Sequence, residues 1–175
     1  MSEPRYGMGL VIGRFQPLHK GHEYIINTAL VNCRRVCVFV GSAQESGTDR
    51  NPFTYELRKE MLERIFGTQI EVLPLPDAFV KSPDVWGEYV LTSALKCFGC
   101  IPDVLVSAPE ERRTHWLDNE IGKRVKLVTP PKLPDISAFN LRRLISEDNR
   151  EAWQACTNPL LWDMYPALRA IICSR

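Results

Sequence analysis

The sequence predicts an α/β chain, a Rossmann-like doubly wound parallel sheet in a single domain. Three observations carry this. Short apolar runs alternate with longer stretches of helical apolar spacing along the 175 residues, and strand–helix alternation implies parallel strands joined by crossovers. The most apolar run is near-continuous rather than alternating, as a strand covered on both faces reads. A turn rich in glycine and basic residues sits where the first strand meets the first helix, beyond the carboxyl end of a strand, where such sheets bind ligands.

In chain order, residues 10–12 form the first strand. Residues 23–32 form a helix with Ile25, Ile26, Ala29 and Leu30 at helical spacing. Residues 35–40 are the buried strand, closed by Gly41. Residues 54–66 form a second helix, with Thr54 as N-cap and Leu57, Met61, Leu62 and Ile65 on its apolar face. A strand at 70–75, a helix at 84–98 carrying Val85, Tyr89, Val90 and Leu95, and strands at 104–107 and 125–128 follow. Two late helical regions complete the pattern, 138–146 and a stretch within 151–172. The expected domain spans 1–175, with its core at about 8–150 and C-terminal helices at about 151–172. No repeat, low-complexity tract or linker interrupts it, and the thirteen prolines fall mostly in loops such as 74–83 and 130–134.

Composition narrows the function classes. The chain is 45% hydrophobic and 25% charged with a net charge of +1, so no global field favours nucleic acid or an anionic membrane. No apolar run is long enough to span a bilayer. The first residues show no charged start and apolar centre of a leader, so a cytoplasmic location is expected. The six cysteines include one Cys97-Phe98-Gly99-Cys100 pair, without a second pair or a histidine pair at ligand spacing, so no metal site is expected. Cys33 and Cys37 read as core filler.

The chemistry concentrates in Gly13-Arg14-Phe15-Gln16-Pro17-Leu18-His19-Lys20-Gly21-His22, which holds two of the three histidines. Free backbone N–H groups and the positive end of a helix attract phosphate, Arg14 adds a guanidinium fork suited to phosphate oxygens, and His19 and His22 share one helix face. After the second strand come Gly41-Ser42-Ala43-Gln44 and Arg50-Asn51-Pro52-Phe53-Thr54. Trp86 opens a helix after the third strand, where its face can stack on a pyridinium ring or pack into the core. Ile136-Ser137-Ala138-Phe139-Asn140-Leu141-Arg142-Arg143 repeats the first logic, with a serine at a helix start and an arginine one turn on. Trp153 and Trp162 read as core, Arg143 as solvated, and His115-Trp116 as surface and packing.

The Gly-Arg-Phe-Gln-Pro-x-His-x-Gly-His signature resembles the HxGH nucleotidyltransferase superfamily. Together with Gly-Ser-Ala-Gln, Asn-Pro-Phe-Thr and Trp86, it is most similar to archaeal-type nicotinamide-nucleotide adenylyltransferases. The resemblance implies transfer of an adenylyl group from magnesium-ATP to nicotinamide mononucleotide, giving NAD and pyrophosphate in a homo-oligomeric enzyme. It assigns His19, His22, Arg14 and Arg142 to catalysis. It assigns Gly13, Phe15, Gln16, Gly21 and Ser137 to ATP and its phosphates; the segment 107–110 reads as structural, with a place beside the adenine as the alternative. Ser42, Ala43, Arg50, Asn51, Asp77 and Trp86 are assigned to the acceptor. Asp84 is the alternative to Asp77, and a solvated loop charge is the alternative for Arg50. Two positions depart from the family's Ile-Ser-x-Thr-x-Ile-Arg pattern: Phe139 stands for threonine and Leu141 for isoleucine. Other acceptors for the same machinery are nicotinic acid mononucleotide, FMN and phosphopantetheine; a non-catalytic nucleotide-binding regulator is the reading from a different class.

Overall fold

The computed structural model describes residues 3–80, 82–109, 115–131, 133 and 136–174. Its strands are β1 (Tyr6–Gly13), β2 (Cys33–Gly41), β3 (Glu71–Leu75), β4 (Val104–Val106) and β5 (Lys126–Val128). All pair in parallel, in the order β3-β2-β1-β4-β5. The chain winds outward from β1 to β3, then returns past β1 to β4 and β5. The winding reverses at β1, so a crevice opens beyond the carboxyl ends of β1 and β4. The predicted doubly wound parallel sheet is therefore borne out.

Side chains alternate across this sheet because successive residues of a strand point to opposite faces. Val11, Val36, Val38, Val40, Val72, Val104 and Val106 bury into one core. Met8, Leu10, Ile12, Cys37, Phe39 and Leu105 bury into another on the opposite face. The helices that cover these cores are α1 (Lys20–Asn32), α2 (Tyr55–Phe66), α3 (Pro83–Phe98), α4 (Ala138–Ser146), α5 (Arg150–Ala155) and α6 (Tyr165–Cys173). Thr54 caps α2 as expected, accepting a hydrogen bond from the Leu57 N–H at 3.3 Å. Among the described residues, no helix is long and apolar enough to cross a membrane.

Three boundaries differ from the sequence reading. β1 begins at Tyr6, since Tyr6 already pairs with Cys33 and the Met8 N–H donates to an Asp103 carboxylate oxygen at 2.8 Å. α1 begins at Lys20 because His19 serves as its N-cap. The C-terminal stretch divides into α5, a 3-10 segment Pro159–Met164 and α6, with Asn158 capping the new start ahead of Pro159. Nor are these helices peripheral. Trp153, Leu161, Met164, Tyr165 and Leu168 lie in the same core as Val11 and Val38 and pack around Leu141 and Ile145 of α4. Cys156 O accepts the Lys20 N–H at 3.0 Å, so the C-terminal stretch braces the start of α1.

The cysteines behave as the sequence predicts for core filler. Cys33 and Cys37 are buried, and burial pushes their thiols up to about 11 and about 12.

Candidate functional site

A cavity of about 360 Å³ lies at the carboxyl end of β1. Its walls contain every residue that the sequence assigned to catalysis and to phosphate: Gly13, Arg14, Phe15, Gln16, His19, Gly21 and His22 on one side, Ser137 and Arg142 on the other. The N-termini of α1 and α4 both open on it, and each presents a positive dipole end. Ser137 caps α4 by accepting from the Asn140 N–H at 3.2 Å. The side chain of Arg142 spans the two walls, its Nη1 donating to Gln16 O at 2.8 Å.

The histidines form one unit. His19 and His22 stack with ring centroids 3.7 Å apart and planes at 22°, and the Phe15 ring meets His22 edge-on at 4.9 Å. His19 Nδ1 accepts the His22 N–H at 3.4 Å, so the ring proton sits on Nε2. Burial holds the His19 imidazole down to about 4. His19 is thus a neutral hydrogen-bond donor at pH 7. Gly21 makes room for it: a Cβ at that position would come within 3.0 Å of His19 Cε1 and Nδ1.

The approach loop is held in an unusual backbone shape. Phe15 and Ser42 have φ of 52° and 47°, in the left-handed region that non-glycine residues seldom occupy. Gln16, only 2% exposed, locks this loop to the one after β2. Its amide donates to Phe53 O and accepts from the Phe53 N–H, both at 2.9 Å.

The residues assigned to the acceptor lie on the other side of β1, beyond the ends of β2 and β3, and the structure joins most of them. Asn51 is 7% exposed and accepts from Arg14 Nη1 at 3.4 Å. Ser42 Oγ donates to Asp77 at 3.1 Å. Ala43 adjoins that contact, its N–H donating to Leu75 O at 3.3 Å. Asp77 belongs to this cluster. Asp84 instead bonds the Ser82 side chain, which holds its carboxyl below the ordinary range. Trp86 is half-buried and touches Tyr89 and Trp116, at 5.3 and 6.2 Å between ring centroids, so it packs on the core while keeping part of its surface open. Arg50 stands apart as an exposed loop residue.

Ala108 and Pro109 line the cavity, while Glu110 lies outside the described residues. Other positions fall as read. Arg143 is exposed and pairs with Glu147 at 3.6 Å. Trp153 is fully buried. His115 is exposed and bonds Asp118 at 2.8 Å. Phe139, in threonine's place, is 68% exposed and lines the cavity mouth.

Two residues escaped the sequence reading. Gln44 clamps Asp77 with a pair of hydrogen bonds, Nε2 to the carboxylate at 3.1 Å and Oε1 from the Asp77 N–H at 3.0 Å. Arg58 is fully buried beneath the loops after β1 and β2. A signal for it was present: Arg58 lies three and four residues before Met61 and Leu62, a charge on the apolar stripe of α2.

Comparison with known proteins agrees with this geometry. The profile of the cytidylyltransferase-like family matches residues 10–144. The chain belongs to that family. A relative from Aeropyrum pernix named nicotinamide-nucleotide adenylyltransferase is 34% identical over 158 residues, covering 86% of this chain and 85% of the relative. The same name is carried by a relative from Saccharolobus solfataricus, 38% identical over 90 residues. There the match covers 48% of this chain and 51% of the relative, so the aligned part spans about half the relative's length. Among solved structures, a bifunctional NMN adenylyltransferase/ADP ribose pyrophosphatase from Francisella tularensis, complexed with AMP and a manganese ion, superposes with a TM-score of 0.67. It is 21% identical, over 94% of this chain and 52% of that one, and bears on the fold alone. The resemblance to archaeal-type nicotinamide-nucleotide adenylyltransferases seen in the sequence is borne out by these relatives.

Proposed function

We propose that this chain transfers the adenylyl group of ATP to nicotinamide mononucleotide, releasing pyrophosphate and forming NAD. One observation carries the reading. The two phosphate motifs, 115 or more residues apart in sequence, line a single cavity, and Arg14 Nη1 links that cavity to the acceptor cluster through Asn51. The name of the Aeropyrum pernix relative, 85% of which this chain covers, supports the choice of acceptor.

A phosphate oxygen of the mononucleotide attacks the α-phosphorus of ATP. A new P–O bond forms, the bond from the α-phosphorus to the bridging oxygen breaks, and pyrophosphate departs with the electron pair. The attacking phosphate is already ionised at neutral pH, so the chain needs no general base. Its work is alignment and stabilisation of charge on the transferring group. His22 donates to the α-phosphate as charge builds there, and neutral His19 donates from Nε2 beside it. Arg14, Arg142 and the α4 N-terminus capped by Ser137 hold the outer phosphates that leave. Gly13, Phe15, Gln16 and Gly21 shape the loop around them, and Ala108 and Pro109 border the adenine. On the acceptor side, Asn51 and Ser42 meet the mononucleotide, Ala43 permits its close approach, and Arg50 closes over it. Asp77 accepts from the carboxamide, and the open part of Trp86 stacks on the pyridinium.

Magnesium enters with the nucleotide. No group of three His, Cys, Asp or Glu able to hold a metal occurs among the described residues. A hard divalent ion of this kind rides on triphosphate oxygens. The Francisella tularensis neighbour of the same fold was solved with AMP and a manganese ion.

The test incubates purified protein with magnesium-ATP and, separately, nicotinamide mononucleotide, nicotinic acid mononucleotide, FMN and phosphopantetheine, quantifying the product of each. NAD as the fastest product supports the reading. Faster product from FMN or phosphopantetheine, or no product with any acceptor, overturns it.

A further inference from the structure

The buried arginine beneath the acceptor loops has no place in the reaction described above, yet its setting is unusual. Arg58 is 0% exposed. Its guanidinium carries five N–H donors, and each is bonded to a main-chain carbonyl. Nε reaches Thr54 O at 3.1 Å, Nη1 reaches Gly41 O at 2.8 Å and Arg14 O at 3.0 Å, and Nη2 reaches Ser42 O at 3.1 Å and Glu45 O at 3.4 Å. No carboxylate of a described residue forms an ion pair with it. Burying a cation among carbonyl dipoles without a paired carboxylate carries a heavy desolvation cost, only partly offset by the nearby charges of Glu56 and Asp77. A neutral side chain such as glutamine could tie loops together without that cost, so the charge itself needs an explanation.

The explanation lies in where those carbonyls would otherwise point. At the carboxyl end of a parallel sheet, the loops that leave the strands border the ligand crevice, and a carbonyl oxygen turned toward it would repel an anionic ligand. Arg58 collects the carbonyls after both β1 and β2. A trans peptide directs C=O and N–H to opposite sides, so drawing the Arg14 and Gly41 carbonyls inward turns the Phe15 and Ser42 N–H groups away from the guanidinium. Phe15 and Ser42, two of the three non-glycine residues with positive φ among those described, follow the peptides that Arg58 holds.

We propose that Arg58 is a positioning residue for the anionic acceptor, drawing inward the carbonyls that would repel the mononucleotide's phosphate and fixing the Arg14 and Ser42 main chain that receives it. This assignment rests on the adenylyl-transfer reading. It also predicts asymmetry between the substrates, because four of the five carbonyls that Arg58 holds, those of Gly41, Ser42, Glu45 and Thr54, belong to the segment from the end of β2 to the start of α2, and only that of Arg14 belongs to the wall of the ATP cavity.

The experiment compares wild type, Arg58→Lys and Arg58→Gln by calorimetric titration with nicotinamide mononucleotide and with nicotinamide riboside, which lacks the phosphate, alongside KM for both substrates. Expected for Arg58→Gln is a loss of at least about tenfold in mononucleotide affinity, as for removal of a charge-assisted hydrogen-bond network. Riboside affinity and the KM for ATP should move by less than about threefold. Arg58→Lys, with its charge kept but fewer donors, should fall between wild type and Gln, and it carries the comparison if the Gln variant does not fold. Equal losses for mononucleotide and riboside, or an unchanged mononucleotide affinity, would overturn the proposal and leave Arg58 a brace. Wild-type turnover separates the two ideas: NAD formation with Arg58 variants that bind normally rejects only the role of Arg58, while absence of NAD formation rejects the function.

Discussion

Acid should destabilise this protein through His19 in particular. The native imidazole titrates at about 4 because it is buried, whereas the unfolded chain takes up the same proton near pH 6.5. Between these values the unfolded state binds the extra proton, so stability rises with pH across the window. The His19 contribution is complete above pH 6.5 and is lost as pH falls through about 4. At 1.36 kcal/mol per pH unit, a separation of about 2.5 corresponds to about 3 kcal/mol. The comparison variant is His19→Asn, which cannot titrate there but keeps an acceptor at the N-cap of α1. Urea unfolding of both proteins at pH 7, 6, 5 and 4.5 gives a difference curve in which the other titrating groups cancel. Wild type should lose about 2 to 3 kcal/mol relative to the variant over that range. Parallel curves would refute the neutral, buried histidine and with it the assignment of Nε2 as its donor.

Four further outcomes follow from the same geometry. His22→Ala should lower kcat by at least ~100-fold, the scale of losing one transition-state donor, in steady-state assays at saturating substrates. Trp86→Ala should raise KM for the acceptor more than KM for ATP, since stacking on a pyridinium is worth about 1–2 kcal/mol when desolvated; equal changes would contradict the stacking. Gly21→Ala places a Cβ within 3.0 Å of the His19 ring, so kcat should fall while the midpoint of urea unfolding changes little. Leu141→Ala, at a fully buried position of α4, should cost about 2–5 kcal/mol of stability in urea titration.

What the sequence made legible was the chemistry carried by local patterns. Residues 13–22 and 136–142 announced two phosphate-binding helix starts by the side chains they contain, and the structure places both on one cavity. The buried strand at 35–40 was equally plain from its apolar run. The long-range ties were hidden. Arg142 bonding the Gln16 carbonyl, Gln16 embracing Phe53, and Gln44 clamping Asp77 pair residues whose proximity only the folded sheet creates. Asp77 and Asp84 could not be separated by spacing, because the turn after β3 decides which of them meets Ser42. Arg58 was overlooked since an arginine in an amphipathic helix is ordinarily solvated, and its carbonyl partners carry no signature in side-chain sequence. The place of the C-terminal helices in the core is legible in Trp153, and the structure adds what it packs on: Trp153 and Tyr165 share a core with Leu141 and Ile145 of the helix that bears Arg142.

The central claim is that the α-phosphate of ATP is transferred within the cavity shared by His22 and Arg142. Labelled ATP tests it most directly. With label on the α-phosphate, wild type should place one equivalent in NAD for each pyrophosphate released; label on the γ-phosphate should leave entirely with pyrophosphate. Arg142→Ala and His22→Ala, with wild-type circular dichroism, should both suppress that transfer. Release of ADP, γ-label in the nucleotide product, or full transfer by either variant would contradict the account.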